Sequence, residues 1–216
     1  DGVLADWYGT QPHYDYPMIH QRTQLLFEIA TKAGLKIGVV YEDQTVGNAI
    51  RGGLLSADRS SEVARETGAF LANDWLKRRN WIRLGGKPAV LVFGPQHFGQ
   101  TEWSEFRKAT GDISLITLHR KHPFSQGAFD WPVPSEGLEF TERYPERSKD
   151  WGIRVAGAFP RFVDYYEEGG QKGYADLPDR VGQTYQSTLS AALTSGSEAV
   201  QVATWNDWQE GTQIEP

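Results

Sequence analysis

Apolar and polar positions follow two periods along this chain, and the switches between them predict its elements. Gly2-Val3-Leu4-Ala5-Asp6-Trp7-Tyr8 is a short apolar run closed by Gly9, as a buried strand would be. From Tyr16 to Lys32, Ile19, Thr23, Leu26, Phe27 and Ala30 recur at three- and four-residue steps until Gly34 stops them, which predicts an amphipathic helix. A second strand is predicted at Lys36-Ile37-Gly38-Val39-Val40-Tyr41-Glu42-Asp43, then a loop through Gly47, Gly52 and Gly53, then a long amphipathic run from Asp58 to Trp81. Further strands are expected at residues 89–93, 113–118, 128–131, 154–159 and 199–205. Helices are expected at 102–109 and 138–151, and from Pro178 to Leu193.

Strands alternating with helices imply parallel units with right-handed crossovers. The fold class expected is therefore α/β, a (β/α)8 TIM-type barrel. At 216 residues the chain is shorter than the roughly 250 typical of a complete barrel. Seven strands are predicted, so the first strand and helix, before Asp1, and the final helix, after Pro216, are expected to be lacking. Residues 1–216 then read as a single catalytic-type barrel domain, a fragment of a longer chain, with an open strand edge beside residues 2–8. An open doubly wound sheet is the competing fold, but neither G-x-G-x-x-G nor G-x-x-x-x-G-K-[ST] occurs to support a nucleotide site.

Composition narrows the function classes. Net charge is −6, and the longest basic block is Lys77-Arg78-Arg79, which disfavours nucleic-acid partners. The absence of cysteine excludes thiol catalysis, disulfides and cysteine zinc sites. No apolar run is long enough to span a membrane. Aromatic residues make 12% of the chain, and several stand beside carboxylates where strands should end.

In parallel β/α folds, function gathers at the carboxyl ends of strands. Those ends carry Asp6-Trp7-Tyr8, Tyr41-Glu42-Asp43-Gln44, Gln96-His97, His119-Arg120, Asp130-Trp131, Arg161 with Asp164-Tyr165-Tyr166, and Asn206-Asp207-Trp208-Gln209-Glu210. The last segment is the densest in acids, tryptophans and amides. In a continuing strand Asp207 and Glu210 would point to opposite sides. They converge only if the chain leaves the strand near Trp208 and turns, which Gly211 permits. The competing use of these acids is a helix N-terminus, where they favour the macrodipole. Paired carboxylates suit glycosidic bond cleavage, and Trp and Tyr supply apolar faces for sugar rings. No EF-hand, H-x-x-x-H or H-E-x-x-H pattern occurs, so no metal and no cofactor is expected.

The stretch W-N-D-W-Q-E-G-T-Q-I-E-P at 205–216 resembles the N-E-W-H-E-G-T-Q-I-E-P signature of glycoside hydrolase family 99, the endo-α-mannosidase family, and of the broader family 71/99-like proteins of bacterial glycan degradation. D-G-V-L-A-D-W-Y-G at the start and I-G-V-V-Y-E-D-Q at 37–44 resemble early barrel strands of the 99-like proteins. The resemblance implies a retaining mechanism through a 1,2-anhydro sugar, with Asp207 as the base on the 2-hydroxyl and Glu210 as the acid/base on the leaving oxygen. Two residues depart from the signature, Asp207 for Glu and Gln209 for His, and the family's H-I-E-P-Y element stands here as Val40-Tyr41-Glu42-Asp43-Gln44. Asp207 is one methylene shorter, and a misplacement of about 1 Å can cost on the order of 100-fold in rate.

The function expected is hydrolysis of α-linked mannan- or glucan-like glycans, the partner being an oligo- or polysaccharide substrate. Asp6, Tyr8, Tyr41 and Glu42 are candidates for hydroxyl recognition, and Trp7, Trp131, Trp205 and Trp208 for stacking. Asn206, His97 and His119 complete the candidate binding set. Two alternatives stand beside it: a glycosyltransferase-associated domain of surface polysaccharide assembly, and a non-catalytic carbohydrate-binding barrel. A secreted or periplasmic location follows from the resemblance only, and the sequence leaves the oligomeric state open.

Overall fold

The computed structural model describes residues 1–216, which form two units, Asp1–Gln126 and Gly127–Pro216. In the first, β1 (Gly2–Trp7), α1 (Tyr16–Lys32), β2 (Lys36–Tyr41), α2 (Gln44–Arg51), α3 (Ser60–Asn73), β3 (Arg83–Leu84), β4 (Lys87–Val92), α4 (Gln100–Thr110) and β5 (Ser114–Leu118) follow in order. β1, β2, β4 and β5 are parallel neighbours, and β3 is a short antiparallel flap on β4. The register sets Trp7 opposite Tyr41, and Tyr41 opposite Val92. The carboxyl ends of these strands are thereby brought level.

The middle strands β2, β4 and β5 are buried almost throughout, as near-continuous apolar runs require. Their core partners include Trp7, Phe27, Trp75, Trp81, Trp103 and Phe106, each shielded from water. Burying such a side chain stabilises the fold by roughly 2–3 kcal/mol. β1 has β2 as its one strand partner in this unit, and Val3, Leu4 and Ala5 are half-exposed.

The second unit runs β6 (Gly127–Phe129), α5 (Leu138–Glu142), α6 (Tyr144–Ser148), β7 (Ile153–Ala158), α7 (Gln183–Thr194) and β8 (Ala199–Val202). Its three strands are parallel in the order β6-β7-β8. On one side Val200 packs with Ala156, Ala158, Tyr144 and Ala192 of α7; a second cluster joins Phe159, Phe162, Leu177 and Ala203. The helix-covered valine face is thus as the alternation predicts for Val200. Both units are α/β with parallel strands, consistent with part of a TIM-type barrel.

Several expected boundaries move, each for a local reason. The loop expected through Gly47 is the helix α2, in which Gly47 lies under His97: a Cβ at Gly47 would stand 3.0 Å from His97 Nδ1. The expected helix over 138–151 is two short ones, because Pro145 has no N–H to continue the first and instead opens the second. α7 begins at Gln183 rather than Pro178, since Arg180, Val181 and Gly182 take left-handed backbone in succession. The last strand ends at Val202 rather than Trp205 because the following backbone closes on itself. Thr204 N–H donates to Thr212 O at 3.0 Å, Ile214 N–H to Thr204 O at 3.0 Å, and Glu215 N–H to Trp205 O at 2.9 Å. No helix is long and apolar enough to cross a membrane.

Candidate active site

The closed loop after β8 is what brings Asp207 and Glu210 to one side. Thr204 Oγ1 accepts from Asp207 N–H at 2.9 Å and lies 2.8 Å from Thr212 Oγ1, tying the loop's two ends. Asp207 Oδ1 then accepts the Glu210 N–H at 2.9 Å, and Asp207 O accepts the Thr212 N–H at 3.2 Å. The acids therefore share a tight turn in irregular backbone; no helix begins here. Gly211 completes the turn at φ +64°, with its backbone pressed on Val163: a Cβ there would come within 2.4 Å of Val163 O.

The segment after β7 backs this turn. Val163 N–H donates to Glu210 O at 3.0 Å, Tyr165 N–H to Gln209 O at 2.9 Å, and Arg161 Nε to Gly211 O at 2.6 Å. With its amide oriented to satisfy both neighbours, Gln213 accepts from the Arg161 guanidinium at 2.8 Å and donates to Gly211 O at 3.2 Å. Tyr166 reaches from the same segment and donates its hydroxyl to Glu210 Oε1 at 3.0 Å. Asp164 fixes that tyrosine by accepting its N–H at 3.0 Å, and holds the Tyr174 N–H at 2.8 Å through its other oxygen. Tyr174 stands edge-on to Tyr166, with ring centroids 5.9 Å apart.

Glu210 is half-buried, and burial is the main reason that its carboxyl is pushed up to about 7. The negative charge of Asp207, and more weakly that of Asp164, adds to the rise; hydrogen bonding from Tyr166 and Trp131 works against it. Oε2 of Glu210 is enclosed. Burial and the Glu210 charge in turn push the Tyr166 phenol upward, so it stays a donor at any neutral pH. An acid that is half-protonated near neutrality can both give and take a proton, which Asp or Glu in open water does poorly.

A second group of acids lies at the ends of β1 and β2. Glu42 N–H donates to Trp7 O at 3.0 Å, and its side chain accepts from the Gln44 amide. Burial raises the Glu42 carboxyl; the Gln44 hydrogen bond opposes this, and the adjacent Asp43 charge adds to it. Asp6 hydrogen-bonds Glu42 and also the Tyr8 phenol, which burial and the two acids raise. Asp43 faces away from this group into the protein. Its carboxylate accepts the consecutive N–H groups of Gln96, His97 and Phe98 at 2.6–3.1 Å, pinning the loop after β4.

The other expected residues divide cleanly. Trp131 is brought to Glu210, while Trp205 and Trp208 are 58% and 55% exposed and present open ring faces; Asn206 is exposed beside them. Trp7 and Tyr41, in contrast, are core residues and offer a sugar no surface. Trp7 lies between Tyr41, Phe70 and Trp75, with its indole N–H on His20; Tyr41 stacks on Phe106. His97 Nε2 sits 3.1 Å from Ser60 Oγ, between α2 and α3, in a packing role. His119 follows β5 in left-handed backbone and is half-buried. Tyr166, Asp164 and Arg161 were legible only as residues past a strand end; their pairing with the turn at 207–211 bridges more than 40 positions of sequence. A surface depression along α4, lined by Gln100, Ser104, Arg107, Lys108 and Phe124, holds none of these acids.

Parallel strands alternating with helices make an α/β fold consistent with part of a TIM-type barrel. Comparison with solved structures narrows the fold. A family 99 endo-α-mannosidase from Bacteroides thetaiotaomicron, in complex with bis-tris-propane, matches with a TM-score of 0.73 and 20% identity over 98% of this chain and 68% of its own. A second structure of a family 99 endo-α-mannosidase from that organism gives 0.71 and 20% identity, covering 98% and 63%. A glycoside hydrolase-like protein gives 0.72 and 15% identity, covering 99% and 74%. The chain shares the fold of these proteins and spans about two thirds of the length of the two mannosidase structures. No protein-family model matches the sequence, and no curated protein matches it.

Proposed function

We propose that this chain is part of a glycoside hydrolase that cleaves α-linked, mannan- or glucan-like glycans, with Glu210 as general acid/base and Asp207 as its partner base. One observation carries the reading: an enclosed carboxyl raised to about 7, beside a second acid, on a turn that the last strand presents. The fold shared with family 99 enzymes supports it. In the first step Asp207 takes the proton of the sugar 2-hydroxyl, O2 attacks C1, and Glu210 gives its proton to the departing glycosidic oxygen. In the second, Glu210 takes a proton from water, the water oxygen attacks C1, and the C1–O2 bond opens as O2 recovers the proton from Asp207. The configuration at C1 is retained. Exposed Trp205 and Trp208 are proposed to stack on sugar rings beside Asp207 and Glu210, and within the first unit Asp6, Tyr8 and Glu42 are proposed for hydroxyl recognition. A single barrel domain is part of the same reading.

The exposed indoles also favour a second reading, a carbohydrate-binding barrel without catalysis. One experiment separates them. The full-length protein is screened on α-mannans, α-glucans and aryl α-glycosides, and the anomer first released is read by NMR. Retention, dependence on a free 2-hydroxyl, and a loss of at least about 1,000-fold in Glu210→Gln are expected. Wild-type turnover in that variant would falsify the assignment of Glu210, and sugar binding with no product from any substrate leaves the binding module.

A further inference from the structure

The turn at 207–211 leaves the two oxygens of Glu210 unequal. Oε1 is held by the Tyr166 hydroxyl at 3.0 Å, while Oε2 is enclosed and the Trp131 side chain hydrogen-bonds the same carboxyl. A phenol that donates to one oxygen of a carboxyl fixes the plane of the group and disfavours the proton on the oxygen that it holds. Tyr166 itself is fixed twice: its N–H is held by Asp164, and its ring meets the edge of Tyr174. Its segment is in turn hydrogen-bonded to the backbone of the same turn at Gln209 and Glu210.

We infer that Tyr166 is a positioning residue that occupies Oε1 of Glu210 and so fixes the orientation in which this carboxyl exchanges a proton with the glycosidic oxygen. This rests on the hydrolase reading above. The groups facing Glu210 come from three places: Asp207 on its own turn, Asp164, Tyr166 and Tyr174 from the segment after β7, and Trp131 after β6. Arg161 is spent on the Gly211 carbonyl and Gln213 and leaves the carboxyl to the tyrosine. A phenol that donates to a carboxylate stabilises the ionised form, so Tyr166 also restrains the upward push that burial exerts on Glu210.

Tyr166→Phe keeps the ring and removes the hydroxyl. Two readouts test the inference on the full-length protein. The first is the pH profile of kcat/KM on an aryl α-glycoside, alongside Glu210→Gln and, as a control, Tyr165→Phe, whose ring is 56% exposed. The second, which needs no activity, is titration of the Glu210 side chain by carboxyl carbon NMR. In Tyr166→Phe, kcat is expected to fall about tenfold, the Glu210 titration and the basic limb of the profile both moving to higher pH. Tyr165→Phe is expected to superimpose on the wild type. If Glu210→Gln is inactive but Tyr166→Phe titrates and turns over as the wild type does, the role of Tyr166 is overturned while the hydrolase reading stands. If Glu210→Gln stays active, that reading falls, and an unmoved Glu210 signal in Tyr166→Phe removes the positioning role as well.

Discussion

Glu210 and Asp207 are three residues apart, yet their surroundings divide the work between them. Glu210 is enclosed and raised; Asp207 spends Oδ1 on the Glu210 N–H, which sets the distance between the two. Asp207→Asn keeps that acceptor and removes the charge. Because the Asp207 charge helps raise Glu210, the basic limb of the pH–rate profile should move to lower pH, opposite to Tyr166→Phe. Loss of the base should also lower turnover by about 100-fold or more, in the range of general base catalysis. A pH–rate series on the purified variant checks both, and a limb that moves upward contradicts the charge coupling. The pair was legible in the sequence because its members are neighbours there. Tyr166 was not, since it meets Glu210 only after β7 and β8 align. Trp7 and Tyr41 were misjudged for a related reason: period-two alternation says that two residues share a face, and which face holds the core is decided by the helices packed on it.

At the scale of elements, the site is made by where β8 stops. Its last register pair sets Val202 opposite Ala158, Ala203 N–H still donates to Ala158 O at 2.9 Å, and from Thr204 onward the chain turns back along 212–215. An apolar run continuing to Trp205 suggests more strand, but the run of side chains carries no record of where the backbone N–H groups go. Gly211 was legible as the residue permitting the turn, and its requirement is stronger than conformation alone. A side chain there faces both φ +64° and Val163 O. Gly211→Ala should therefore cost about 2–4 kcal/mol of stability and displace Glu210 from Tyr166. Urea unfolding measures the first. A variant as stable as the wild type, with unchanged turnover, would show that the turn tolerates a Cβ.

For the whole molecule, the raised carboxyl links folding to pH. The Glu210 carboxyl stands at about 7 in the folded chain against an ordinary 4.5, so the native state holds more protons than the unfolded one across that window. Stability from this group is complete below 4.5 and falls as pH rises toward 7, a change of about 3 kcal/mol in all. Glu210→Gln lacks the titration, so relative to the wild type it should gain stability between pH 5 and pH 8, approaching that amount. Parallel urea melts at the two pH values test it; a difference that does not grow with pH contradicts an enclosed, raised Glu210. The net charge of −6 acts at the same scale by disfavouring polyanionic partners, whereas a neutral glycan meets no such penalty.

The sequence by itself determined the order of parallel strands and helices and the placing of acids and aromatics past strand ends. It also located the turn at Asp207–Gly211. These are local matters, written in apolar period, in Gly and Pro, and in a twelve-residue motif. Tertiary structure alone decided that Gln44–Arg51 is helical and that Trp7 and Tyr41 belong to the core. It likewise decided that Asp43 pins a loop while Glu42 faces its acid neighbours. It also joined Tyr166 to one oxygen of Glu210 and enclosed the other. Burial and hydrogen-bond partners come from residues distant in the chain, and it is these that turn an ordinary carboxyl into one that titrates near neutrality.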